Sequence, residues 1–207
     1  WSEELAKDID DYVNTLHEDA AETLAAQIKK TGENQYYVFN ALGWERTDYV
    51  DMAYEGVKPV HVVDVHMKQE VPSQIISRND QIYVRILADK IPPVGYKVYE
   101  IRQGKGKTFK NSLNLNDSET VMENQFYQIE VGSDGTIRSL QDKTQDYREY
   151  VDKKDNKGLN YLISQNYLYG DIDDTKRCYN KIKNFASEIK IVDKGCVSVT
   201  MSITRND

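Results

Sequence analysis

The sequence predicts a mainly β protein in which an N-terminal amphipathic helix is followed by a small antiparallel β-sandwich and part of a second, larger β-sandwich. Three observations predict this. Apolar residues recur at spacings of three and four over roughly the first 30 residues. From Tyr36 the period switches to two and stays there, and a polar, glycine-containing stretch over 104–118 divides the strand-like segments into two series.

In the first segment Leu5, Ile9, Tyr12, Val13, Leu16, Ala20, Leu24 and Ile28 share one stripe, while Glu3, Lys7, Asp11, Glu18 and Glu22 fill the outer face. The pattern describes one helix of about seven turns. Lys29 and Lys30 suit a last helical turn, and Gly32 gives a stop. Such a helix cannot bury its own stripe and is expected to pack on the following sheet or on helices elsewhere.

The next strands are expected at Gln35–Asn40, Thr47–Ala53, Val60–Met67, Glu70–Ser77, Gln81–Leu87 and Gly95–Arg102, each rich in Val, Ile, Tyr and Thr and bounded by Gly, Pro, Asn or Asp. Six short strands so spaced suggest a small sandwich over 32–103, preceded by the helix over 1–31. The segment 104–118 reads as a domain linker. A second series then fills 119–207: Thr120–Val131, a Gly132-Ser-Asp-Gly135 turn, Thr136–Asp142, Gly158–Ser164, Ile182–Val192 and Gly195–Thr204. Between these, Tyr147–Lys157 and Gln165–Asn180 read as long loops. Trp1 at the start, with no signal-peptide pattern behind it, and a strand just before Asp207 lead to the expectation of an internal slice of a longer polypeptide.

Composition narrows the function. Lys and Arg number 27 against 34 Asp and Glu, a formal charge of −7, which opposes general binding to nucleic acid or anionic membranes. No run approaches the ~20 apolar residues of a membrane span. Two cysteines, Cys178 and Cys196, are too few for a disulfide framework. They read as reduced thiols, a single disulfide being the alternative, and thiols lean towards the cytoplasm. Fifteen tyrosines against four Phe and two Trp suit sheet edges and sugar-binding surfaces equally.

Few residues carry a chemical signal. His61 and His66 lie five apart, which puts them on opposite faces of one strand; Asp64 shares a face with His66, giving only two ligands. His17 sits among Glu18 and Asp19 on a helix face. Asp171, Asp173 and Asp174 lack the spacing of a calcium loop. Gly104-Lys-Gly-Lys-Thr108 is too short for a phosphate-binding loop, and no nucleophile, base and orienting acid fall into a known order. No catalytic constellation is expected within the chain.

Several segments together do point to a family. Tyr37-Val-Phe-Asn-Ala-Leu-Gly-Trp-Glu-Arg-Thr47 is followed in order by Val71-Pro-Ser-Gln-Ile75, by Leu87-Ala88 with Ile91-Pro-Pro-Val-Gly-Tyr-Lys-Val-Tyr-Glu-Ile101, and by Met122-Glu-Asn-Gln-Phe-Tyr-Gln-Ile-Glu-Val131 with Asp134-Gly-Thr-Ile-Arg-Ser-Leu-Gln-Asp-Lys143. Ile189-Lys-Ile-Val-Asp-Lys-Gly-Cys-Val197 ends the series. In this order they resemble the β-rich region of glycoside hydrolase family 38, the α-mannosidases. Ala41 and Cys196 stand where proline is common.

The resemblance implies a galactose mutarotase-like supersandwich for the second β region and, for the parent enzyme, retaining hydrolysis of terminal α-mannosides by an aspartate nucleophile, a second carboxylate and zinc held by two Asp and two His. It implies that these groups lie in a preceding α/β barrel, so this chain would hold neither catalytic residue nor metal and be inactive alone. Leu16-His-Glu-Asp-Ala20 imitates the family's zinc motif but carries an inserted Glu18, so His17 is not assigned as a ligand. Gly158-Leu-Asn-Tyr-Leu-Ile163 resembles a stretch whose tyrosine reaches the substrate pocket, which makes Tyr161 the candidate substrate-binding residue; a tyrosine packed in a strand is the competing reading. The implied partners are the barrel and remaining sandwich of the same chain, and mannose-containing glycans. A free-standing carbohydrate-binding module using Tyr167 or Tyr169, or a structural sandwich of another large enzyme, are the alternatives.

Overall fold

The computed structural model describes residues 2–28, 32–111, 113–116, 118–154, 157–161, 164–166, 178–180 and 186–205. It is mainly β, with one long helix and several antiparallel sheets. The chain divides into two compact units, Trp1–Pro72 with Ser77–Lys107, and Ser73–Ile76 with Thr108–Asp207.

Helix α1 spans Ser2–Gln27, with Glu3 and Glu4 in the first turn, where carboxylates complement the positive end of the helix dipole. The periodicity is as expected, but the packing is not. No residue of α1 is buried, and Leu5, Ile9, Tyr12, Val13, Leu16 and Leu24 are 47–66% exposed. The stripe therefore does not lie on the following sheet. Lys29 and Lys30 fall outside the described residues.

In the first unit the strands are β1 (Gln35–Asn40), β2 (Arg46–Ala53), β3 (Val60–Asp64), β4 (Gln69–Val71), β5 (Ser73–Arg78), β6 (Gln81–Ile91) and β7 (Gly95–Gln103), β5 being shared with the second unit. They form a four-stranded sheet in the order β1-β7-β3-β4 and a three-stranded sheet in the order β2-β6-β5. Alternation delivers Val38, Val62, Tyr99 and Ile101 from one sheet and Met52, Val84, Ile86 and Ala88 from the other into a single buried cluster. Each such aliphatic side chain is worth roughly 1.5–3 kcal/mol relative to exposure. On the outer face of the second sheet, Asp51 and Arg85 are direct cross-strand partners. Their bidentate pair, 2.6 Å at Nε and 2.8 Å at Nη2, holds the Asp51 carboxyl below its ordinary range, and the guanidinium lies 4.4 Å from the Tyr49 ring centroid.

Asn40 closes one end of this sandwich. It is 2% exposed; its Nδ2 lies 2.7, 3.2 and 3.1 Å from the carbonyl oxygens of Trp44, Ile91 and Pro92, and its Oδ1 accepts from Leu42 N–H at 3.1 Å. Val94 N–H reaches back to Leu42 O at 3.0 Å, so the turn after β1 and the turn after β6 are laced together.

The second unit holds β8 (Asn114–Leu115), β9 (Val121–Glu123), β10 (Tyr127–Val131), β11 (Ile137–Asp142) and β12 (Arg148–Glu149) in a sheet of order β12-β11-β10-β9-β8. Two pairs complete it: β13 (Ser164–Asn166) with β14 (Cys178–Asn180), and β15 (Ala186–Lys194) with β16 (Val199–Arg205). Also within this unit, Gln74 brackets the turn between β15 and β16. Its Oε1 accepts from Val197 and Ser198 N–H, each at 2.9 Å, and its Nε2 donates to Ser198 O at 3.2 Å.

Several sequence expectations are corrected here. The segment expected as one strand over Glu70–Ser77 is two, because Pro72 has no N–H for the ladder. The segment Thr120–Val131 is also two. Asn124 Oδ1 accepts from Phe126 and Tyr127 N–H at 2.8 and 2.7 Å, a side-chain turn that competes with strand continuation. Conversely, β8, β12, β13 and β14 fall wholly or partly in segments read as linker or loop. They are two or three residues long, too short to display a period.

Candidate functional site

The candidate residue Tyr161 follows the hairpin of β10 and β11, and its position is built from that hairpin outward. At the turn Gly132-Ser-Asp-Gly135, Gly135 takes φ +73° and donates its N–H to Gly132 O at 2.8 Å. A left-handed residue at this point is what the glycine supplies. Asp134 Oδ1 accepts from Thr136 Oγ1 at 2.8 Å and Thr136 N–H at 3.1 Å, while Oδ2 meets Arg138 Nη2 at 2.6 Å. Burial pushes the Asp134 carboxyl up, but the Thr136 donors and the Arg138 charge together hold it below its ordinary value.

Residues 158–160 are tied to this turn. Leu159 and Ile137 exchange backbone hydrogen bonds of 2.9 and 3.3 Å as an isolated bridge. Asn160 stands at φ +59°, accepts from Ile137 N–H at 3.2 Å and donates to Gly135 O at 3.3 Å. A Cβ on Gly158 would sit 2.5 Å from Ile137 O, so the close approach of the two backbones requires glycine there. Tyr161 is thus the first residue after a pinned Gly-Leu-Asn segment, and it is half-buried.

Glu149 organises the other side of β11. Ser139 Oγ donates to its Oε2, Leu140 and Val151 N–H donate to Oε1 at 2.9 and 3.0 Å, and Lys153 Nζ lies 3.1 Å away. Burial raises the pKa of this carboxyl, yet the four donors outweigh it and hold the group at about 2. Such a group stays ionised at neutral pH and has its lone pairs engaged, so it is a fixed acceptor, not a proton donor. Two small open cavities lie nearby, of about 250 Å³ between Glu130, Arg138, Val151, Lys153 and Lys157, and about 200 Å³ between Val151, Asp152, Lys157, Gly158 and Leu159. Tyr161 lines neither.

Other sequence candidates are dispersed. Tyr167, Tyr169, Asp171, Asp173 and Asp174 lie outside the described residues, as does the side chain of Cys178. Cys196 is a free thiol with Sγ 3.3 Å from Ser73 O. His17 lies on the exposed helix, His61 Nδ1 is 3.0 Å from Gly104 O, and His66 donates its N–H to Asp64. Among the described residues no three of His, Cys, Asp and Glu are grouped to hold a metal ion. Sequence reasoning missed the roles of Asn160 and Glu149. An Asn flanked by Leu and Tyr was a readable sign of a left-handed residue, whereas the donors to Glu149 come from residues up to ten positions away.

No protein-family model matches the chain, and no curated protein matches it. Solved structures do. The fold is similar to that of an α-mannosidase from Enterococcus faecalis V583, at 19% identity and a TM-score of 0.51, and to that of a protein in glycosyl hydrolase family 38 from Enterococcus faecalis, at 18% identity and a TM-score of 0.51. Each likeness covers 69% of this chain and 21% of the other, so the chain spans about a fifth of the length of these structures.

Proposed function

We propose that the chain is a non-catalytic, β-rich part of a zinc-dependent retaining α-mannosidase that hydrolyses terminal α-mannosides of glycans. The observation that carries this reading is the fold likeness to two structures of that hydrolase class, over 69% of the chain but only 21% of theirs. The ordered run of resembling segments from Tyr37 to Val197 supports it independently. In this reading residues 1–31 are the end of a helical bundle, 32–103 a small sandwich, 104–118 a linker and 119–207 the start of a large sandwich. The partners are the catalytic barrel and the rest of the sandwich in the same polypeptide. Zinc and the nucleophile belong to the barrel, and Tyr161 forms part of the wall of the substrate cleft, held there by the pinned 158–160 segment.

The test is the reading frame that encodes the chain, together with kinetics of its product. A frame with several hundred upstream residues carrying two Asp and two His zinc ligands is expected; a frame without them overturns the assignment. In that full-length enzyme, Tyr161→Ala is expected to raise KM for an aryl α-mannoside several-fold with a smaller change in kcat. Unchanged kinetics would assign Tyr161 to packing alone. The 207-residue chain by itself is expected to release no aryl alcohol from the same substrate with zinc added.

A further inference from the structure

The interior of the first sandwich breaks its own pattern at one end. On β7 the inward positions are Lys97, Tyr99 and Ile101, and the inward partner of Tyr99 across the ladder is Asp64 on β3. Three polar groups therefore occupy places where alternation calls for apolar ones. They face an open cavity of about 540 Å³ whose walls also include Met67, Glu70, Pro72, Leu87, Asp89 and Lys90. The polar groups are pre-set. Asp64 Oδ1 accepts from His66 and Met67 N–H at 3.0 and 2.9 Å, its Oδ2 stands 3.5 Å from Lys97 Nζ, and Lys97 donates to Asp89 O at 2.8 Å.

Tyr99 is the telling member. Its ring is packed in the core cluster, the residue is 1% exposed, and it forms part of the cavity wall. Burial first, then the nearby Asp64 and Asp89 charges, push its ionisation up to about 12, so it is a permanent O–H donor at neutral pH. A hydroxyl at the wall of an open cavity is a donor that a ligand seated there can engage.

We propose that this cavity is a binding site for an uncharged polyhydroxyl molecule, a single sugar ring or a linear polyol. The lining selects this class. Asp64, Glu70 and Asp89 stand against Lys90 and Lys97, a near balance that favours no strongly charged guest of either sign, and no three donors are grouped for a metal ion among the described residues. A purely apolar guest would strip water from Asp64 and Lys97 without replacing its hydrogen bonds. A polyol accepts from Tyr99 and Lys97, donates to the Asp64 and Asp89 carboxylates, and lays its C–H face on Met67, Pro72 and Leu87. This site rests on no part of the mannosidase reading and stands or falls separately.

The experiment is an amide-resolved NMR titration of the 207-residue chain with methyl α-D-glucopyranoside and, separately, with D-sorbitol, with sodium phosphate and putrescine as charged controls. Saturable shifts confined to His66–Val71 and Lys97–Tyr99 are expected for at least one polyol. The ring and the linear compound distinguish the two forms of the ligand. Tyr99→Phe removes the hydroxyl and keeps the ring in the core cluster, so its spectrum stays dispersed while affinity falls roughly fivefold, the loss of one hydrogen bond. Asp89→Ala, at an exposed position, provides the same weakening with no change to the core. Absence of saturable shifts with either polyol, equal affinity in both variants, or stronger shifts from phosphate or putrescine at these amides would each overturn the assignment.

Discussion

At Asn40 a single side chain takes the place of several backbone hydrogen bonds. It gathers the carbonyls of Ile91 and Pro92, 51 and 52 residues away, against the turn that follows β1. Replacing it by aspartate leaves a carboxylate facing three carbonyl oxygens, so Asn40→Asp is expected to cost about 2–4 kcal/mol in urea unfolding. A cost below about 0.5 kcal/mol would show that the turn is held by other means. Glu149 gives a pH-dependent counterpart. Its carboxyl sits at about 2 in the fold against 4.5 unfolded, so its contribution is fully present above pH 4.5 and is lost as pH falls towards 2. With 23% of that side chain exposed, Glu149→Gln is expected to lose about 2 kcal/mol at pH 7. The gap between the two proteins should narrow to about a quarter in unfolding curves at pH 2.5; a gap that persists undiminished in acid would rule out the ionised form as its source. Neither role was legible in the sequence beyond residue type. Asn in a turn and Glu near a strand are ordinary, and what distinguishes these two is partners brought in by the fold.

Elements were read more successfully than their breaks. The period of two located β1 over Gln35–Asn40 to the residue and β7 within one residue, because half-buried strands with Tyr, Val and Phe leave an unambiguous alternation. It ran through Pro72 and Asn124, where the interruption is made by a missing N–H and by a competing side-chain acceptor, neither of which changes the apolar pattern. Helix α1 was legible as a helix but not in its surroundings. A stripe read from spacing says only that a face exists, and here that face is half exposed or more along its length. Since α1 buries nothing, removing residues 2–27 is expected to shift the melting temperature by no more than about 2 °C, checked by circular dichroism at 222 and 218 nm. A larger fall would mean that the helix is tied to the sheets.

Across the whole molecule, the segments that resemble one another between this chain and the mannosidase family turn out to be joints. Asn40 and Ile91-Pro92 belong to two different segments and meet at one end of the first sandwich. Gln74 and Val197-Ser198 meet in the second unit, and Gly195 is so close that a Cβ would lie 2.3 Å from Gln74 Oε1. These recognisable residues hold the architecture, which is why a resemblance was legible in the sequence. The polar interior around Tyr99 was not legible, because the pairing of Asp64 with Tyr99 is made by the ladder between two strands far apart in the sequence.

The register of the first sheet has one more consequence, for engineering. Gln35, where the sandwich begins, stands opposite Glu100, three residues before β7 ends. The path into this sandwich and the path out run side by side, about 5 Å apart. Such a body can be spliced into a host loop like a bead on a closed clasp, or permuted by joining 103 to 35 through a short glycine linker and opening the exposed Asn79-Asp80 turn, where both residues already hold positive φ. A permutant cut there is expected to unfold cooperatively with its β signal intact; a chain that instead remains unstructured would mean that the order of strand synthesis, and not the ladder alone, selects this sheet.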